Sequence, residues 1–243
     1  EYRHLGCCID HTLENLHCFR IVSRAVLHPT QRIAHGRLLD RLGGLAPIIS
    51  IESALDGRRD PLKPAFTISF DDGFKSTLTV AGRILADRGL PSTVFVASDF
   101  VGLGGDALRT FTHERLNWPH VQEPMSEEDL RSCKSVGMEI GSHGVSHTSF
   151  ARLSAEEAAA ELRDSRTALE KIAGKRVRYF AWPFGARSDF PTEFLALARE
   201  AGYEAVFSGV SRSAASLPPG MLPRRELNLA WGEKACLYLA IRG

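Results

Sequence analysis

The sequence carries almost no excess charge: 30 lysines and arginines face 29 aspartates and glutamates, leaving +1 with the histidines neutral. Without a basic excess there is no electrostatic footprint for nucleic acid or for an anionic membrane surface. Also lacking is any apolar run close to the roughly 20 residues that cross a bilayer. The five cysteines (Cys7, Cys8, Cys18, Cys133, Cys236) are odd in number and have no paired metal-binding spacing. They read as reduced core thiols and favour a reducing, cytoplasmic compartment. No secretory signal pattern is visible, but the chain begins at Glu1, so a trimmed N-terminus and a cell-envelope location stay open. There is no low-complexity tract, internal repeat or linker. A chain of 243 residues, 44% hydrophobic and 24% charged, suits one globular domain over 1–243 with a sizeable core.

What is present is organised around Thr67-Ile68-Ser69-Phe70-Asp71-Asp72-Gly73. The run from Ala65 to Phe70 reads as a buried strand that ends in two adjacent carboxylates and a glycine. Neighbouring strand residues point to opposite sides, so the two aspartates can take separate jobs, one on a metal and one on a proton. Read alone, Asp-Asp-Gly is more readily a polar turn closing the strand.

Elsewhere, helices and strands alternate. Leu5 to Ile9 reads as a first strand ending at Asp10-His11, Gln31 to Leu42 as a helix stopped by Gly43-Gly44, and Pro47 to Ile51 as a short strand. Leu78 to Arg88 is a helix closed by Gly89, and Ser92 to Ala97 a buried strand. Val101 to Pro124 reads as a long loop with short helical pieces, a wall for a binding site. Ser126 with Asp129 opens the next helix, and Val136 to Ile140 returns to the sheet. Ser154 with Glu157 forms a capping box ahead of a helix to Lys171. Val177 to Trp182 is a strand, Pro191 to Arg199 a helix, and Tyr203 to Phe207 a strand. Ala235 to Ile241 is a terminal helix or strand. About seven such units predict an α/β fold of right-handed parallel βαβ connections, a distorted (β/α)7-type barrel.

In such a barrel the functional residues gather at the C-terminal ends of strands. Asp71 and Asp72 lie at one such end, His143 and His147 just past another, and Pro183-Phe184-Gly185 past a third. The His pair, four apart, is expected on one side of a helical turn. Two imidazoles and a carboxylate around one divalent ion leave a position open for water or substrate, as catalytic zinc sites require. By ligand type the ion is zinc, with Co2+, Ni2+ or Fe2+ as alternatives.

The segments Ser69-Phe70-Asp71-Asp72-Gly73 and Gly141-Ser142-His143-Gly144-Val145-Ser146-His147 resemble the first two motifs of the polysaccharide deacetylases, carbohydrate esterase family four, or NodB-homology domain. The resemblance covers roughly Leu5 to Leu227. It implies a metal-dependent hydrolase of amide bonds that removes the acetyl group from an N-acetylamino sugar in a surface polysaccharide or a smaller glycan. By motif position, Asp72, His143 and His147 hold the metal and Asp71 is the catalytic base. A backbone N–H after the Asp pair, that of Phe74, helps hold the oxyanion.

Three departures stand out. Ala181-Trp182-Pro183-Phe184-Gly185 replaces the family's frequent Arg-Pro-Pro-Tyr, which resembles a branch with a Tyr-Pro-Phe-Gly motif and a late Leu-Pro-Arg, here Leu222-Pro223-Arg224. Arg224 is therefore expected to supply the charge beside the base. No histidine follows His147, so the family's late general acid is missing, and His11 at the end of the first strand is the candidate donor. Gly144 stands where a hydroxyl residue often follows the first histidine. Trp118, Trp182, Pro183 and Phe184 are expected to line the sugar site, with His113 and His120 in the long loop as further wall residues. Two other readings stay open: an amidohydrolase of a non-sugar amide or cyclic ureide, and a carbohydrate-binding relative that has lost catalysis.

Overall fold

The computed structural model describes residues 16–22, 29–56, 60, 62–210, 217–228 and 236–237. Seven parallel strands, β1 (Leu16–Val22), β2 (Ala65–Phe70), β3 (Ser92–Val96), β4 (Met138–Ser142), β5 (Tyr179–Ala181), β6 (Ala205–Ser208) and β7 (Met221–Asn228), follow one another in chain order and close into a barrel. Closure is made by β1 lying parallel to β7, with Cys18 opposite Arg224. The ring is uneven: β4 and β5 meet at a single register pair, Ser142 with Phe180. The helices are α1 (Pro29–Leu45), α2 (Ile51–Leu55), α3 (Arg83–Ala86), α4 (Gly105–Thr110), α5 (Glu127–Ser132), α6 (Ala155–Ala173) and α7 (Phe194–Glu200).

Strand alternation divides the apolar residues into two layers. Phe95, Tyr179, Ala181, Phe207 and Leu222 fill the barrel interior with Ile51 and Ala54 of α2. Ile68, Val94, Ile140, Phe180 and Val206 pack outward, in one cluster with Leu130 of α5, Leu162 and Leu169 of α6 and Leu195 of α7. Phe95 is fully buried, and a Cβ at Gly141 would lie 2.5 Å from its ring, so only glycine lets β4 pass this aromatic. At the N-terminal mouth Arg178 pairs with Glu52 and Glu139 at 3.1 and 3.3 Å. The opposite mouth is left for the site, because inward parity delivers Asp71, His143 and Arg224 there.

Several expectations need correcting. The strand that starts the barrel is Leu16–Val22, which sequence pattern did not single out; Leu5 to Ile9 and His11 lie outside the described residues, as does most of Ala235 to Ile241. Gly43-Gly44 does not stop α1, which runs through both to Leu45, carried by buried Leu38, Leu39 and Leu42. Pro47 to Ile51 contributes one parallel bridge, Ile48 with Phe66, before α2 begins at Ile51. The expected helix Leu78 to Arg88 is a widened turn at Thr77–Gly82 followed by α3. The capping boxes at Ser126 and Ser154 are both present, and Gly174 ends α6 in the left-handed conformation.

Candidate metal and catalytic centre

Strand β2 runs inward–outward to its end, so Asp71 continues the interior face of Thr67 and Ser69. The chain then turns: Asp72 has φ 72°, in the left-handed region that non-glycine residues avoid at a cost of about 1–3 kcal/mol. That turn brings the second carboxylate to the mouth as well. His143 follows β4 on the interior face, and His147 comes from the loop beyond it, again with positive φ, 54°.

The two histidines do not share a helical turn. They flank an irregular loop in which Gly144 has φ 82°, and that loop folds both rings toward Asp72. Asp72 Oδ1 stands 3.7 Å from His143 Nε2 and 3.2 Å from His147 Nε2. One ligand atom from each of the three residues lies within 4.8 Å of the others.

Each ring is oriented from behind. His143 Nδ1 meets the carbonyl oxygen of Ala181 at 2.7 Å and His147 Nδ1 that of Arg115 at 2.9 Å. A carbonyl can only accept, so both Nδ1 atoms carry the proton in the neutral rings and both Nε2 atoms present lone pairs. This tautomer pair, with Asp72 Oδ1 facing both rings, is the donor set a divalent ion of the zinc type takes. The remaining Asp72 oxygen, Oδ2, accepts from Trp118 Nε1 at 3.4 Å.

Burial and neighbouring charge act on the three groups in different directions. Burial pushes the His143 imidazole down to about 4, only partly offset by the Asp71 charge. Burial also opposes charge on His147, but the hydrogen bond and charge of Asp72 win and raise it above its ordinary value. For Asp72, burial raises the carboxyl while the His147 hydrogen bond and both histidine charges outweigh it, so it ends below the usual carboxylate range.

Asp71 is held differently. Arg224, 1% exposed, grips it with both terminal nitrogens, Nη1 to Oδ1 at 2.6 Å and Nη2 to Oδ2 at 2.9 Å. Nη1 also donates to Ser69 Oγ at 3.2 Å, and the guanidinium lies over the Phe95 ring, 4.9 Å from its centroid. Asp71 Oδ2 stands 3.8 Å from His143 Nε2, beside the ligand set.

The expected wall residues divide. Phe184 is 40% exposed, has φ 60°, and sets its ring edge-on to His147 with centroids 4.7 Å apart. Trp118 is part-exposed and packs edge-on to Phe74 at 5.6 Å. Trp182 does not line the site. It follows Ala181 with the outward parity of Phe180, is fully buried, and stacks on Phe190 at 5.4 Å in the layer between barrel and helices. Pro183 is buried too, close under Gly144. His113 is turned to structure, its Nδ1 meeting the Trp118 carbonyl oxygen at 2.9 Å. Pattern reading missed Arg115, whose carbonyl orients His147 and whose position carries no local signature.

The polysaccharide deacetylase family model matches residues 58–206. The chain belongs to the polysaccharide deacetylase family. A Bacillus subtilis (strain 168) protein, YxkH, whose name places it among the polysaccharide deacetylases, is 22% identical over 176 residues, 72% of this chain and 54% of that protein. The chain thus spans about half the length of the curated relative it matches. Among solved structures, the Streptococcus pyogenes deacetylase PplD in complex with acetate superposes with a TM-score of 0.71 at 18% identity, covering 93% of this chain and 96% of that one. IcaB from Ammonifex degensii gives 0.68 at 18% identity, covering 93% and 99%. At such identities the likeness is one of fold.

Proposed function

We propose that this chain is a metal-dependent N-deacetylase that hydrolyses the acetamide of an N-acetylamino sugar. One observation carries the reading: a carboxylate locked by a bidentate arginine stands beside an Asp-His-His donor set at the C-terminal end of the strands in a barrel of this family. Asp72, His143 and His147 would hold one divalent ion, zinc by ligand type, as the protonated Nδ1 atoms and free Nε2 atoms fit it. When bound, the ion supplies an acidified water and polarises the acetyl carbonyl.

The protein's own groups do the rest. Asp71, held by both terminal nitrogens of Arg224, takes the proton from the attacking water. Arg224 also fixes the direction of both carboxylate oxygens. The Phe74 N–H, which no backbone carbonyl takes among the described residues, is our candidate donor to the developing oxyanion. Phe184 and Trp118 offer ring surface to a sugar. The leaving amine needs a proton, and with no histidine after His147 we assign His11 as donor. Asp71 supports catalysis over mere binding, since a lectin-like relative has no use for a clamped base.

The test is acetate release from short N-acetylglucosamine oligomers by the zinc-loaded chain and by Asp71→Asn. We expect the variant to keep its metal and lose about 10²-fold or more in rate. Equal rates would remove Asp71 from the reaction. His11→Ala is expected to lose a similar factor with metal retained.

A further inference from the structure

The loop that joins the two histidines is gripped from outside the centre by one side chain of α6. Glu161 Oε2 accepts the backbone N–H of Val145 at 2.6 Å and that of Ser146 at 3.1 Å. Its Oε1 accepts the Ser146 hydroxyl at 2.6 Å, and Ser146 Oγ lies 2.7 Å from Thr148 Oγ1. The carbonyls of the same loop are held from the other side, where Ser98 N–H donates to Gly144 O at 3.0 Å and Asp99 N–H to Val145 O at 3.1 Å. The loop is therefore clamped between the segment after β3 and a 19-residue helix with a complete N-terminal capping box and buried Leu162 and Leu169.

We propose that Glu161 is a positioning residue of the metal centre, its carboxylate setting the spacing of His143 and His147 through the loop between them. A Cβ at Gly144 would stand 3.0 Å from Glu161 Oε2, and the residue's φ of 82° disfavours any side chain. A side chain at 144 would press the carboxylate off its present position by a few tenths of an ångström. The clamp matters because His147 sits in the left-handed region (φ 54°), a conformation that persists only where surrounding contacts over-determine it. Losing Glu161 frees two N–H groups and lets His147 relax, which moves its Nε2 away from Asp72. One carboxyl group accepting three hydrogen bonds ties both ends of the dipeptide Val145-Ser146 to a single side chain.

This role rests on the metal reading above, and the test separates the two. Zn2+ affinity of the metal-stripped full chain is measured by competition with a chromophoric chelator, at a temperature where every variant is folded. Glu161→Ala is expected to bind zinc about 10–100-fold more weakly. Glu161→Gln should recover most of that loss, because the amide oxygen can take the N–H bonds while its NH2 donates to Ser146 Oγ. Thr167→Gly, at an exposed position of the same helix, should lower the urea midpoint and leave zinc affinity unchanged. Unaltered affinity in Glu161→Ala overturns the role. So does a Gln variant as weak as the Ala one, which would mean charge at a distance, or an equal loss in Thr167→Gly, which would mean helix stability alone. A wild-type chain that takes up no zinc brings down the metal reading and the Glu161 role with it.

Discussion

Arg224 and Asp71, 153 residues apart in sequence, meet in a two-pronged ion pair of 2.6 and 2.9 Å inside the barrel mouth. The pair is nearly dry, with side-chain exposures of 1% and 8%. A planar fork is what keeps both carboxylate oxygens in fixed directions, and lysine cannot reproduce it. Arg224→Lys is therefore expected to keep the fold and the metal while acetate release falls by about 10²-fold. Arg224→Met should cost stability as well, about 3–5 kcal/mol, because Asp71 is left buried without its partner. Steady-state rates and urea midpoints on the two variants check this, and an active Lys variant would mean that charge alone suffices.

Trp182 makes the opposite forecast to the one its place in the sequence suggests. Buried among Phe150, Phe180 and Phe190, it holds barrel to helices, so Trp182→Ala should destabilise by about 3–5 kcal/mol. Its effect on KM for N-acetylglucosamine oligomers should be small once the variant is folded. A large rise in KM at unchanged stability would return Trp182 to the sugar site.

These cases show what the sequence could and could not disclose. Asp71, Asp72, His143 and His147 were legible because each sits where a recognisable strand runs out, and βαβ topology sends all such ends to one mouth. Arg224 was legible only through the resemblance, since a lone arginine in a late strand has no local signature. Trp182 was misread because an aromatic at a strand end invites a ligand role; counting parity from Phe180 would have sent it outward. The first strand was missed because Leu16–Val22 interrupts its apolar residues with His17 and Arg20, while Leu5 to Ile9 offered a cleaner run. Arg115 acts through a backbone carbonyl and Glu161 from mid-helix, and neither position differs in sequence from an ordinary surface residue.

Trp118 tests the outer layer of the centre from the loop side. Its indole N–H meets Asp72 Oδ2 at 3.4 Å while Oδ1 faces the histidines. Trp118→Phe keeps an aromatic ring against Phe74 but removes the donor. Zinc affinity should fall by about 10-fold, the low end of outer-layer effects, while KM changes less than in Trp118→Ala, which also loses the ring. Zinc titrations and KM values on the two variants separate the donor from the surface, and equal affinity in Trp118→Phe would leave the indole with a substrate role only.

The buried histidine makes the metal-free protein acid-sensitive. In the folded chain burial holds His143 at about 4, against an ordinary 6.5. Below pH 6.5 the unfolded chain takes up a proton there that the folded chain refuses until pH nears 4. Stability therefore falls as pH drops through that window, by on the order of 3 kcal/mol in total. His147 runs the other way: its value is raised, so its contribution is complete below 6.5 and disappears as pH climbs through the raised value. The two are separated by urea midpoints of chelator-treated wild type and His143→Gln at pH 7, 5.5 and 4.5. The wild type should lose stability more steeply between 6.5 and 4, because the variant has no group to titrate at that position. Bound metal should steepen the wild-type loss further, since protons then compete with the ion for the same nitrogens. Parallel curves for the two metal-free proteins would mean that His143 takes up its proton in the folded state as readily as in the unfolded one.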